Sequence, residues 1–243
     1  MKKITAIALL IFFLLPISVF ARQASAPARK SATSSVEQQF KKSFPKNNYE
    51  SITPTAIQGI YEVYAGNQLY YYMPKDEVIL YGSLITKNGV NLTRESARKK
   101  MAQKIAKLPL DSTVKIGNGK KIVVEFIDPN CHFCRESYKY FAQRKDKDVT
   151  IYAFLFPLSK ESSDKAKFIL CSKEASKTYD EVLSGKLDKT KPEICTDKKV
   201  EETLKNHMKF ASQIGLKGTP LFYIKGQVVE GFDPPAIDKL LKN

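Results

Sequence analysis

Cys131 and Cys134 stand two residues apart in the run Asp128-Pro129-Asn130-Cys131-His132-Phe133-Cys134-Arg135. Thiols at this spacing fit one helical turn and can close and reopen a disulfide; they also suit half of a four-ligand zinc site, or a static crosslink. The flanking residues bear on the choice. Lys121 to Asp128 carries the apolar runs Ile122-Val123-Val124 and Phe126-Ile127, which suit a central strand buried on both faces. Glu136 to Arg144 continues as a helix, with Tyr138 and Phe141 available for packing. A cysteine at the head of a helix meets unpaired amides and the positive end of the macrodipole, and both favour thiolate over thiol. Cys131 is therefore expected to be the exposed nucleophile. Cys134, one turn later and more buried, is expected to resolve the mixed disulfide.

The residues between the cysteines tune this chemistry. A charged His132 stabilises the Cys131 thiolate and so the reduced form, which makes the disulfide more oxidising; a solvent-facing His132 without influence is the alternative. Phe133 reads as a surface contact for substrate. Gly218-Thr219-Pro220-Leu221 places Thr219 and Pro220 at the head of a strand, where a residue without a ladder donor marks special backbone geometry. For zinc, the remaining ligand candidates are Cys171, Cys195, His132 and His207, none of them in a second C-x-x-C or in H-x-H spacing. No metal and no cofactor are expected. Cys171 and Cys195, 24 positions apart, read as a structural pair rather than free thiols in an oxidising compartment. On a loop-entropy argument such a closure stabilises a fold by about 3 kcal/mol.

The compartment is read from the first residues. Lys2 and Lys3 precede the apolar stretch Ile4 to Val19, and Val19-Phe20-Ala21 fits a small-x-small cleavage site, so residues 1–21 are expected to be a signal peptide and the mature chain to start near Arg22. The stretch falls short of the roughly 20 apolar residues of a membrane span, and no cysteine follows it to accept a lipid. Stable membrane insertion is not expected, and an uncleaved anchor is the alternative.

Residues 22–35 are small and polar and read as a flexible extension, followed by a short helix over Val36 to Phe44 that Pro45 ends. The period then changes to two: Ile57 to Tyr64, Gln68 to Met73 and Val78 to Leu84 predict a small antiparallel meander. Asn91 or Thr93 offers a cap for a sparsely apolar linker helix, Ala97 to Leu108, with Met101, Ile105 and Leu108 as its core positions. After the C-x-x-C helix come a buried strand (Val149 to Phe156), helices at Ser163 to Ser172 and Lys198 to Ile214, and a hairpin around Gly226. A final helix covers Pro235 to Leu241. The divisions are thus 1–21, 22–44, a small unit at 45–91, a linker helix at 92–110 and an α/β unit at 111–243. The order of elements in the last resembles a thioredoxin-like core with a helical insertion. In that fold a cis-proline after Thr lies against the active-site disulfide, and the neighbouring backbone pairs with extended substrate.

Charge adds an exclusion. Lys and Arg number 40 against 25 Asp and Glu, a net charge of +15, but the lysines are scattered and no nucleic-acid motif accompanies them. A solvated basic surface is expected, and no nucleic-acid partner.

Taken together, Ile52-Thr53-Pro54-Thr55, Gly59-Ile60-Tyr61-Glu62-Val63, Leu80-Tyr81-Gly82-Ser83-Leu84, Asn91-Leu92-Thr93, Val124-Glu125-Phe126-Ile127-Asp128-Pro129, the C-x-x-C and Gly218-Thr219-Pro220 resemble the DsbC/DsbG family of bacterial periplasmic thiol:disulfide interchange proteins. The resemblance spans about residues 45–243. It implies an α/β thioredoxin-like catalytic domain behind a small α+β, cystatin-like dimerisation domain and a linker helix. It further implies a V-shaped periplasmic homodimer with two C-x-x-C sites facing an apolar cleft, and Cys171 and Cys195 as a second, structural disulfide. The substrates implied are misfolded exported proteins with wrong disulfides, and the reductant a membrane electron donor of the DsbD type. The departure is His132-Phe133, where the isomerases carry Gly-Tyr and the DsbG branch Pro-Tyr. Isomerase is the leading reading; a net dithiol oxidase tuned by His132, and a chaperone-type holdase without redox turnover, are the alternatives.

Overall fold

The computed structural model describes residues 26–144, 148–190, 193 and 195–242, with side chains from Thr33 onward. The expected signal peptide and its cleavage point lie outside the described residues.

The first helix, α1 (Ala26–Ser43), begins ten residues before the short helix expected from sequence, through a stretch read as flexible extension. Polarity suggested a coil, but Ala26, Ala28 and Ala32 are strong helix formers, no glycine interrupts, and Pro27 sits in the first turn where its missing N–H is harmless. The C-terminal half of α1 lays Val36 and Phe40 on a four-stranded antiparallel sheet. Its strands run in chain order, β1 (Ser51–Pro54), β2 (Tyr61–Ala65), β3 (Gln68–Met73) and β4 (Val78–Leu80). Phe40 meets Tyr72 edge-on at 5.0 Å between ring centres. Strand β2 starts later than the alternation suggested. Thr55 Oγ1 accepts from the Ile57 amide at 3.1 Å and donates to the Ile60 carbonyl at 2.9 Å, which folds the preceding segment into a turn. Strand β4 stops early because the chain turns off the sheet, the Leu84 amide being taken by Thr93 Oγ1 at 2.9 Å.

Helix α2 (Leu92–Ile105) starts at Asn91, whose Oδ1 accepts from the Arg94 amide at 2.9 Å. It packs more firmly than its composition implies, since Ala102 and Ile105 are buried against Val124, Phe126 and Phe154 of the second unit. Arg94 and Arg98 converge on Glu230 Oε2 at 3.0 and 2.9 Å. At its other end Lys104 reaches Asn67 Oδ1 at 2.9 Å, and Asn67 Nδ2 donates to the Ser212 carbonyl at 3.0 Å. Gly215 faces that turn at φ 75°, and a Cβ there would stand 2.7 Å from Asn67 Cβ, so glycine meets both the left-handed backbone and the close approach.

The second unit is a five-stranded sheet ordered β5-β7-β6-β8-β9, from β5 (Val114–Ile116), β6 (Lys121–Ile127), β7 (Val149–Leu155), β8 (Leu221–Ile224) and β9 (Gln227–Glu230). Only β6 and β7 pair in parallel, joined by α3 (His132–Ala142). Between β7 and β8 lie α4 (Lys160–Cys171), α5 (Ala175–Leu183) and α6 (Lys198–Ile214), and α7 (Pro234–Lys242) closes the chain. Alternation along β6 sorts the layers. Val124 and Phe126 face α2 and α6. On the opposite face Val123 packs with Ile237 and Leu241 of α7, and Ile127 with Cys134, Tyr179 and Leu183. Glu125 falls on this second face. The short strand β5 and helix α5 have no counterpart among the elements expected from sequence.

Candidate active site

The end of β6 delivers the chain into a turn that its own carboxylate organises. Asp128 is buried; its Oδ1 accepts from the Asn130 amide and from Ser162 Oγ, and its Oδ2 from the Leu158 amide, all at 2.7 Å. The Cys131 amide donates to the Asp128 carbonyl at 3.0 Å, and Cys131 takes the cap position of α3 with extended backbone, its own carbonyl accepting from Arg135 at 3.1 Å. The helix thus begins at His132, and Cys131 itself is its cap.

That position separates the two thiols. Both are free, Cys131 partly exposed and Cys134 fully buried. A hydrogen bond from the Cys134 thiol, with further help from the amides of Cys134 and Phe133, lowers the Cys131 pKa to about 5 against the opposing effect of burial. Burial first, and donation to Cys131 second, push Cys134 far up. One sulfur is therefore an anion at neutral pH and the other a protonated donor to it. Across the cleft the Thr219–Pro220 peptide is cis, Pro220 is buried, and the Thr219 carbonyl stands 3.5 Å from Cys131 Sγ. His132 and Phe133 both face solvent, their ring centres 5.4 Å apart, and Phe133 is 59% exposed. Leu158, held by its amide to Asp128, leaves a second apolar side chain in solvent near the turn.

Of the other sequence candidates, Cys171 and Cys195 are joined in a disulfide with Cα atoms 6.2 Å apart, in the helical insertion. His207 is fully buried on α6. Its Nδ1 accepts from the Leu155 amide at 3.2 Å and its Nε2 pairs with the Ser112 carbonyl at 3.0 Å, so both ring nitrogens are spent on backbone. Burial holds its pKa down at about 4. Among the described residues no three His, Cys, Asp or Glu side chains gather as a metal site.

Glu125 was not singled out from sequence. It is buried on the face of β6 that packs Cys134, and the Tyr179 hydroxyl on α5 donates to its Oε1 at 2.5 Å. Burial raises its pKa to about 7, with the Tyr179 bond opposing. A cavity of about 340 Å³, lined by Tyr138, Phe141 and Tyr179 among others, opens onto this carboxyl. The signal was available: a lone acid inside a doubly apolar strand, six residues before the first cysteine, is a costly placement for packing alone.

Comparison with known proteins accords with this geometry. Residues 108–243 match the family described as Thioredoxin-like domain, and residues 22–94 match the family described as Disulfide bond isomerase protein N-terminal domain. The chain is 32% identical over 210 residues to the probable thiol:disulfide interchange protein DsbC of Bordetella avium, covering 84% of this chain and 72% of that one. It is 24% identical over 192 residues to the DsbC of Escherichia coli, covering 76% and 77%. A solved linker-deletion mutant of Proteus mirabilis ScsC shares the fold at a TM-score of 0.52 and 19% identity, covering 61% of this chain and 84% of that one. With both of its units matched in order and a Bordetella relative aligned over most of either length, the chain belongs to the DsbC family of thiol:disulfide interchange proteins.

Proposed function

We propose that this protein rearranges incorrect disulfides in exported proteins, with Cys131 as nucleophile and Cys134 as resolving thiol. The observation that carries the reading is the placement of the pair at the head of α3, with Cys131 partly exposed as its cap and Cys134 fully buried one turn on. The Cys131 thiolate attacks one sulfur of a substrate disulfide, forms a mixed disulfide and expels the other sulfur as a substrate thiolate. That thiolate then attacks a further substrate disulfide, and a substrate thiolate so released returns to the mixed disulfide and frees Cys131, with no net change in electrons. When the substrate does not leave, Cys134 gives up its proton, with the Glu125 carboxylate as acceptor. Cys134 then attacks Cys131 Sγ, releasing reduced substrate and leaving the protein oxidised by two electrons.

Returning that form to the dithiol needs a thiol reductant, for which a membrane donor of the DsbD type is the natural supplier. The periplasm is the compartment that supports this cycle, consistent with the signal features of residues 1–21. A homodimer formed through the first unit is supported by the exposed apolar side chains of Val78, Leu80, Tyr81, Ile85 and Val90 on and beyond its edge strand. The Thr219 carbonyl beside Cys131 and the exposed Phe133 ring support a role for Thr219, Pro220 and Phe133 in contacting an extended substrate segment.

A second reading, net oxidation of substrate dithiols, is favoured by one observation. A thiolate stabilised to a pKa of about 5 stabilises the reduced protein and so makes its disulfide a stronger oxidant. Thiol trapping in intact cells separates the two. A mostly reduced Cys131–Cys134 pair supports rearrangement, and a mostly oxidised pair supports donation.

A further inference from the structure

A charge cluster grips the two residues that precede Cys131. Arg135 on α3 donates from Nε to the Pro129 carbonyl at 3.2 Å and from its two terminal nitrogens to Asp188 at 2.5 and 2.7 Å. Lys165 on α4, 5% exposed, places Nζ 2.6 Å from Asn130 Oδ1 and 2.9 Å from Asp188 Oδ1, with Glu161 at 3.1 Å. Asp188 pairs with both cations, and Glu161 pairs with Lys165 alone among the described residues. The pairing with Arg135, then Lys165, holds it well below the usual carboxylate range. It lies on the segment after α5 that the Cys171–Cys195 disulfide closes.

Packing does not call for this arrangement. A buried lysine is costly beside an apolar side chain of similar volume unless its charge is used. Here the charge is delivered to Asn130, the residue before the nucleophile. Without Asp188, the two cations beside the Cys131 turn keep only Glu161 as a paired counter-charge; with it, carboxylates and cations in the cluster are equal in number.

Resting on the thiol–disulfide reading above, we propose that Asp188 is a positioning residue that sets the thiolate content of Cys131, offsetting Arg135 and Lys165 at the active-site turn. The helical insertion then does more than cover the sheet. It carries the counter-charge that tunes the C-x-x-C, on a segment stapled by the second disulfide.

The other ionisable groups around the turn are Asp128 below it, His132, Cys134 and Glu136 on α3, Glu161 on α4, and Lys217 before the Thr219–Pro220 loop. They are common to every variant compared. Removing one unit charge on the order of 10 Å from a thiolate changes its ionisation constant by about tenfold at an effective dielectric near 20. The test is the thiolate absorbance of the reduced full-length protein against pH, with the equilibrium against glutathione.

Asp188→Asn is expected to move the Cys131 titration to lower pH. It should also shift the glutathione equilibrium toward reduced protein by about tenfold, or ~30 mV. Lys165→Gln is expected to move both the opposite way, the double variant to return near wild type, and Asp188→Glu to stay within about twofold of it. A turn that merely loosens moves both single variants in the same direction. Shifts of the same sign, or none, overturn the inference, whereas opposite shifts with cancellation support it. Rearrangement of a scrambled substrate by the wild-type protein, run alongside, tests the functional reading separately.

Discussion

Tyr179 donates a 2.5 Å hydrogen bond to Glu125 in the interior that also packs Cys134. The bond joins a helix of the insertion to the central strand, and it holds a carboxyl of raised pKa on the face of the sheet that packs Cys134, the thiol whose proton we propose it accepts. Glu125→Gln removes the acceptor but keeps the shape. Resolution of a mixed disulfide by Cys134 is expected to slow by about a hundredfold, at the low end of general-base effects, while attack by Cys131 is unchanged. Stopped-flow release of a model peptide, with the two steps separated, checks this.

The same group gives the fold a pH dependence. Glu125 titrates near 7 when folded, above its ordinary value of 4.5, so the folded state binds the extra proton between these values. Stability is therefore expected to fall as pH rises from about 4.5 to 7, by roughly 3 kcal/mol at most. Denaturant melts across this range should show the slope in wild type and lose most of it in Glu125→Gln.

Cys131 acts with the opposite sign. Its folded pKa of about 5 lies below its ordinary value of 9.0, so the reduced protein gains stability as pH rises through that window and loses it as pH falls toward 5. The oxidised protein has no such thiol. The stability difference between the two forms, from paired melts at pH 5 and pH 8, should shift toward the reduced form at the higher pH, and Cys131→Ser protein, which has no oxidised form, should lack the corresponding gain in stability between these pH values.

The second disulfide anchors the insertion. Replacing Cys171 and Cys195 by Ala is expected to destabilise the protein by about 3 kcal/mol in denaturant melts. By loosening the segment that carries Asp188, it should also move the Cys131 titration in the direction of Asp188→Asn.

The exposed edge of the first unit is tested by charge. Tyr81, 68% exposed, and Leu80 lie at the end of β4. Leu80→Asp with Tyr81→Asp is expected to yield a monomer by sedimentation at micromolar concentration, with the Cys131 titration intact and rearrangement of scrambled protein reduced by about tenfold or more.

Much of this was legible in the sequence, for local reasons. The order Lys121–Ile127, C-x-x-C, helix is written in the apolar run and the cysteine spacing, and α6 matches its expected bounds because its periodic face runs from its Asp197 cap to Gly215. What escaped depends on tertiary context. The first ten residues of α1 carry no apolar stripe to announce them, and Val114–Ile116 is too short to alternate. Helix α5 follows its neighbour after a break of a few residues. Asp188 and Lys165 look like ordinary surface charges until the fold brings α4 and the segment after α5 against the turn at Asn130. Glu125 shows only as an acid where an apolar residue belongs.

The central claim, that Cys131 attacks and Cys134 resolves, is tested most directly by trapping. Cys134→Ser protein incubated with a disulfide-scrambled substrate should accumulate a mixed disulfide through Cys131, identified by mass spectrometry of the linked peptides, whereas Cys131→Ser protein should trap none. Linkage through Cys134 in the Cys131→Ser protein, or no linkage in either variant, would contradict the account.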